Sequence, residues 1–319
     1  MKNKERVNKI LQSIANILYI NLHSVKNKGL LNGKMGIAIY LYHYAHYRRD
    51  AVYEEIADEF IDYIIKNKTN NIRHPNFSEG ISGIAWGFNY LIKNKFIEIE
   101  DNMVLEDLES YLLNNVPTRI LIKTPEPIHL FGNGLYYVAK MERQIINKKD
   151  AIAIEILQEK CRFIIKECDA NSVFDIKYFN SLLYFLTKTA NSKINIRTVS
   201  SLLSTIGDIL LRLPDYSIYN EEDIYILQKN IEQVRLFVSK KDRWNQIESK
   251  LTNKIVSSMC AFNWQNFIYY SFVDMNINQT LLNEIETYIE LELDNLYRID
   301  FTLSGKLLNI GMGLMQNIE

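Results

Sequence analysis

Gly29-Leu-Leu-Asn-Gly33-Lys-Met-Gly36-Ile-Ala-Ile-Tyr40 and Phe77-Ser-Glu-Gly80-Ile-Ser-Gly83-Ile-Ala-Trp-Gly87 are two versions of one pattern, an apolar run entered through glycine and followed by another glycine three residues on. Glycines three apart at the start of a helix share a face, and with no side chain there the helix can approach a neighbour's backbone closely. Such helices suit the crowded inner wall of a ring. Glycine costs ~1 kcal/mol in a helix interior relative to alanine, so repeated use needs a packing or binding reason. Two more clusters, Leu130-Phe-Gly132-Asn-Gly134-Leu-Tyr-Tyr137 and Leu303-Ser-Gly305-Lys-Leu-Leu-Asn-Ile-Gly311-Met-Gly313, gather eleven of the twelve glycines into four places. The ordinary alternative is a set of recurring helix caps, since glycine is also favoured at helix ends.

Spacing turns these clusters into an architecture. Gly33 to Gly80 is 47 residues and Gly80 to Gly132 is 52, the length of two helices with their connections. A unit without glycine fits near Tyr178 to Phe185, and weaker ones around Ile226 and Trp264. The chain of 319 residues then holds about seven hairpins. Apolar residues recur at helical spacing between the five prolines: Val7, Ile10, Leu11, Ile14, Ile17 and Leu18; Val52, Ile56, Phe60, Tyr63 and Ile64; Ile224, Leu227, Ile231, Val234 and Val238. Strand-like alternation is confined to Asn94 to Asp101. The expectation is one all-α domain over residues 1–319, built from about six to seven helical-hairpin repeats. Its inner helices should begin near Leu31, Glu79, Phe131 and Leu303.

Charge excludes one class of partner. With 37 basic and 38 acidic residues the net charge is −1, which leaves no electrostatic footprint for nucleic acid. The basic start, Met1 to Lys9, is followed by a stretch broken by Gln12, Ser13 and Asn16 with no cleavage site, so it reads as a helix rather than a signal peptide. Without a run of about 18 apolar residues no transmembrane segment is expected, and the chain is read as cytoplasmic. Cys161, Cys168 and Cys260 are too scattered for a disulfide framework. Cys161 and Cys168 fall on the face of Ile154, Leu157, Ile164 and Ile165, as core thiols would.

The segments 29–38 and 79–87 resemble the glycine-rich inner-helix motif of the lanthionine synthetase C family. The resemblance covers roughly residues 29 to 141 and returns at 303 to 315; between these, only repeat length and helicity match. It implies an α/α toroid, a double barrel of helices. It also implies a role in maturing a ribosomally made peptide, in which family enzymes use zinc to activate peptide thiols that add to dehydrated serines and threonines. The family holds its zinc with a cysteine in one late repeat and a Cys-His pair followed by glycine in the next. Neither motif is present: His23, His43, His46, His74 and His129 all precede residue 130, and Cys260 is followed by Ala261 and Phe262. The zinc is therefore expected to be absent, and no other cofactor is expected. An unusual set joining Cys260 to Cys161 or Cys168 and His129 lacks ligand spacing. His43 and His46, three apart, could face one metal, but in an aromatic helix they also fit ordinary packing.

Three functions remain open, and with them whether the chain is an enzyme at all. The resemblance implies a lanthionine synthetase C-like protein whose partner is a precursor peptide or a peptide-modifying enzyme. A carbohydrate-active enzyme on an α/α toroid would need paired carboxylates, and Glu79 is the one carboxylate in the inner-helix motifs. The third is a non-catalytic scaffold. If each glycine motif opens an inner helix, all those N-termini share one end, and His74, Glu79, His129, Asn133 and Ser304 line that rim. The matching Leu31-Asn-Gly-Lys34 and Leu303-Ser-Gly-Lys306 would bring Lys34 and Lys306 together where the first and last repeats meet. Both could instead be solvated surface lysines. Helix N-terminal amides carry partial positive charge, so this rim is expected to hold an anionic or carbonyl-rich ligand.

Overall fold

A computed structural model describes residues 2–66, 76–98, 103–114, 127–170, 175–213, 216–238, 241–252, 257–272, 277–294, 302–303 and 305–318. The protein is all-α, and no strand occurs among the described residues. The helices are α1 (Lys2–Asn21), α2 (Lys34–Arg48), α3 (Ala51–Lys66), α4 (Ile81–Lys93), α5 (Met103–Asn114), α6 (Pro127–Glu142) and α7 (Lys148–Ala170). They continue as α8 (Ile176–Asn191), α9 (Ile196–Arg212), α10 (Glu221–Phe237), α11 (Asp242–Thr252), α12 (Trp264–Tyr270), α13 (Gln279–Asp294) and α14 (Lys306–Ile318). A short 3-10 turn, Ser258–Ala261, precedes α12. Among the described residues there are fourteen α-helices, consistent with an all-α helical-repeat fold. No described helix is long and apolar enough to cross a membrane.

Three glycine motifs open helices slightly later than expected. Gly33 (φ −154°, ψ −168°) and Gly80 (φ −105°, ψ −168°) sit in extended backbone as N-caps, so α2 and α4 begin at Lys34 and Ile81 rather than Leu31 and Glu79. Both glycines are buried. Likewise α14 begins at Lys306 rather than Leu303. The fourth motif departs in kind. Helix α6 starts at Pro127, four residues before Phe131, which leaves Gly132 and Gly134 inside the helix. Proline is suited to a first helical position, because its ring presets φ and its missing N–H has no helical partner there. The alternation after Asn94 forms no strand over the described residues 94–98, where the α4 C-cap and a turn take the chain.

The helices gather into two compact units, 1–104 with 258–319, and 105–257. In the first, α2 packs on α3, α4 and α14, and α1 packs on α13 and α14, so the first and last hairpins are neighbours. Arg6 ties α1 to α13 through both Glu286 oxygens (Nε to Oε1 2.9 Å, Nη2 to Oε2 2.6 Å) and Asn283 Oδ1 (2.8 Å). In the second unit α6, α8 and α10 pack in succession, as do α7, α9 and α11, giving two layers of the same hairpin register. Buried amides lock the first layer: Asn180 Nδ2 donates to the Asp223 carbonyl (2.9 Å), and Asn230 Nδ2 to the Asn180 carbonyl (3.1 Å). Helix α8 contributes apolar side chains such as Phe179, Leu182 and Phe185, each fully buried. Burying one such side chain contributes ~1.5–3 kcal/mol.

Candidate functional site

The site begins with two loops that the glycines allow to touch. The Leu31 N–H donates to the Ser78 carbonyl (2.9 Å), which joins the loop before α2 to the loop before α4. At Gly29 an added Cβ would lie 2.3 Å from the Glu79 Cα, so no other residue fits without moving backbone. Asn32 Nδ2 donates to Glu79 Oε1 (3.2 Å), placing the exposed Glu79 carboxylate two residues from Lys34. From the other side comes α14. Leu303, just before it, is fully buried, and its Cβ would lie 2.8 Å from a Cβ at Gly36. Lys306, half-buried, opens that helix.

Lys34 lies against α3. Its ammonium lies 4.1 Å from the Phe60 ring centroid and 5.4 Å from that of Tyr63, both on α3, and burial lowers its pKa. A cation over aromatic faces gains ~0.5–2 kcal/mol, enough to commit Lys34 to the α2–α3 hairpin.

The helix amides also differ from the simple rim. Asn27 O accepts from the Lys34 N–H (2.9 Å) and Lys28 O from the Met35 N–H (3.4 Å), so the loop itself takes two of the donors that α2 would offer a ligand. A carbonyl-rich ligand at α2 would compete with these loop carbonyls. Of the other expected rim residues, Asn133 is buried on α6 in the second unit. His129 is placed in the first turn of α6, its side chain outside the described set, and His74 and Ser304 lie outside the described residues.

Beneath the joined loops is an aromatic cluster with no local sequence signature. Trp86 stacks on Tyr90 (centroids 5.2 Å apart), and Phe267 of α12 meets both edge-on at 6.0 and 5.2 Å. Phe77 packs edge-on against Trp86 at 6.1 Å. His43 Nε2 is hydrogen-bonded to the Tyr90 hydroxyl (2.7 Å), and Phe96 packs edge-on against its ring at 4.8 Å. Burial, with a smaller contribution from His46, pushes the His43 pKa down to about 4, so its imidazole is neutral at pH 7. Burial raises the Tyr90 pKa, so its hydroxyl keeps its proton. The pair is a neutral hydrogen bond inside an apolar cluster, and His43 is packed rather than offered to a metal.

The zinc implied by the resemblance needs thiolates and free imidazoles converging on one point. The described donors do not fit. Burial pushes the Cys161 thiol well up, opposite to what a thiolate ligand requires, and Cys168 and Cys260 are buried as well. Among the described residues no group of three or more His, Cys, Asp or Glu is placed to hold a metal. The geometry shows two joined loops with Asn32 and Glu79 hydrogen-bonded at helix starts, near the aromatic cluster of Phe77, Trp86 and Tyr90. Compared with models of protein families and with curated proteins, the chain finds no match in either.

Proposed function

We propose that this chain is a lanthionine synthetase C-like protein that binds a ribosomally made precursor peptide, or the enzyme that modifies it, without the family's zinc chemistry. The observation that carries this reading is the equivalence of the two glycine motifs. In both, an N-cap glycine opens the helix and a second glycine three on is pressed against backbone, at Leu30 O for Gly36 and Phe77 O for Gly83. The motif that carries the resemblance thus has the same structural job twice. The all-helical fold, with α1 and α2 both packed on α14, is consistent with the toroid that the reading includes. The carbohydrate-active alternative gains no support here, since Glu79 is met by the Asn32 amide rather than by a second carboxylate.

The test is a synthetic peptide carrying paired cysteine and dehydroalanine residues, titrated into the purified chain by calorimetry. Ring closure is followed in parallel by counting thiols still open to alkylation. Binding is expected, weakened in Lys306→Glu and more so at low salt, with thiols lost no faster than in peptide alone. Accelerated thiol loss would restore a cyclase, and no binding to this peptide or its unmodified serine form would remove the peptide-binding reading.

A further inference from the structure

At the opposite end of α2, about 20 Å along its axis from Gly33, lies a cavity of about 500 Å³ lined by Lys4, Asn8, His46, Tyr47, Arg48 and Arg49. We propose that it binds a small molecule bearing a phosphate or pyrophosphate group. Among the described residues the lining contains no acid, and Lys4, Arg48 and Arg49, all exposed, form no ion pair. The nearby carboxylates are engaged elsewhere: Glu5 pairs with Lys9 (3.4 Å), and Asp50 accepts from the Val52 N–H at the start of α3 (3.1 Å).

Basic residues at a helix C-terminus commonly serve the last carbonyls. The backbone does part of that task. The Arg49 N–H donates to His46 O (3.3 Å) and the Asp50 N–H to Ala45 O (3.1 Å), closing the helix without either guanidinium. Arg49 holds a left-handed conformation (φ 54°, ψ 49°) at the end of α2, as Lys95, Gln144 and Lys193 do after α4, α6 and α8, a recurring cap of this fold that glycine could also supply. Tyr47 donates its hydroxyl to Asn8 Oδ1 (2.7 Å), which leaves the Asn8 amide nitrogen as the group to donate into the cavity. Two guanidinium groups, an ammonium and an amide, beside the His46 imidazole and the Tyr47 hydroxyl, make a lining rich in donors, and the complement is a ligand rich in acceptors. Phosphate oxygens meet that description, and arginine forks match them two at a time. The volume exceeds a bare phosphate and falls within the range of small-molecule sites, which favours a phosphorylated small molecule.

The experiment is calorimetric titration of the full chain with sodium pyrophosphate, inorganic phosphate, glycerol phosphate, citrate and oligoglutamate, at low and high salt. Pyrophosphate or glycerol phosphate should bind at one site, tighter than citrate or oligoglutamate, and more weakly as salt rises. Glycerol phosphate binding above inorganic phosphate assigns the ligand to an ester; pyrophosphate binding alone assigns it to a diphosphate. The variant Arg48→Ala/Arg49→Gly should lose about tenfold or more in affinity. Arg49→Gly alone should keep or raise the thermal midpoint, because it relieves the left-handed strain, so lost binding there cannot be lost fold. No heat with any phosphate, equal binding of citrate or oligoglutamate, or unchanged affinity in the double variant would overturn the proposal.

Discussion

Replacing Lys140 by methionine is expected to destabilise the protein by ~3–5 kcal/mol, measured as a shift in urea midpoint at constant slope. Lys140 is 2% exposed on α6, with its ammonium 2.9 Å from Asp150 Oδ2 and 3.0 Å from Glu109 Oε1. The Tyr136 hydroxyl donates to the same Glu109 oxygen (2.6 Å), so one cation joins carboxylates from α5 and α7 to α6. Asp150 is also 2% exposed and accepts from the Asn147 N–H (2.9 Å) at the start of α7. Removing the lysine strands a buried carboxylate whose desolvation is no longer offset. Removing all three charges together, as Lys140→Met with Asp150→Asn and Glu109→Gln, should recover much of the loss, because the pair itself contributes little once its desolvation is counted. A Lys140→Met protein as stable as the parent would show that the three groups do not meet in a dry site.

The second large effect is expected at Gly83 and Gly36. A Cβ on Gly83 would lie 1.9 Å from the Phe77 carbonyl oxygen and 2.9 Å from the Leu30 Cβ. On Gly36 it would lie 2.2 Å from the Leu30 carbonyl oxygen. These obstacles are backbone atoms of the joined loops and cannot rotate away, so a helix or a loop must retreat. Alanine gains ~1 kcal/mol in helix propensity, against ~1–3 kcal/mol or more for overpacking, so overpacking wins and both alanine variants should lower the thermal midpoint. Gly134 is the internal comparison. There the nearest atom is a carbon of the Phe185 ring at 3.0 Å, farther than the backbone oxygens met at Gly83 and Gly36, and Gly134→Ala should cost less. Equal midpoints for Gly83→Ala and the parent would contradict the close approach of α4 to its neighbour loop.

Much of the fold was legible because two periodicities agreed. Apolar stripes marked helices, and glycines 47 and 52 apart marked hairpins; neither depends on long-range contacts. The start of α6 was misplaced because the glycine pattern was read ahead of Pro127, a local signal that was present and should have outweighed it. Less of the site could be read. That the Lys34 ammonium rests on the aromatic faces of Phe60 and Tyr63 was not legible, because their helical spacing looked like core alone. The α2 amides were expected to face a ligand, yet the carbonyls of Asn27 and Lys28 reach them first, a contact set by loop conformation rather than by residue type. The floor of Trp86, Tyr90 and Phe267 brings together residues separated by most of the chain, and no local pattern announces such a meeting.

The functional reading turns on the proposal that this chain works without zinc, and metal analysis of the purified chain tests it most directly. Protein prepared without chelators, dialysed against metal-free buffer and measured by elemental mass spectrometry should carry no stoichiometric zinc. One tightly held zinc per chain, lost in Cys260→Ser, would contradict the account and return the protein to the zinc-dependent enzymes it resembles.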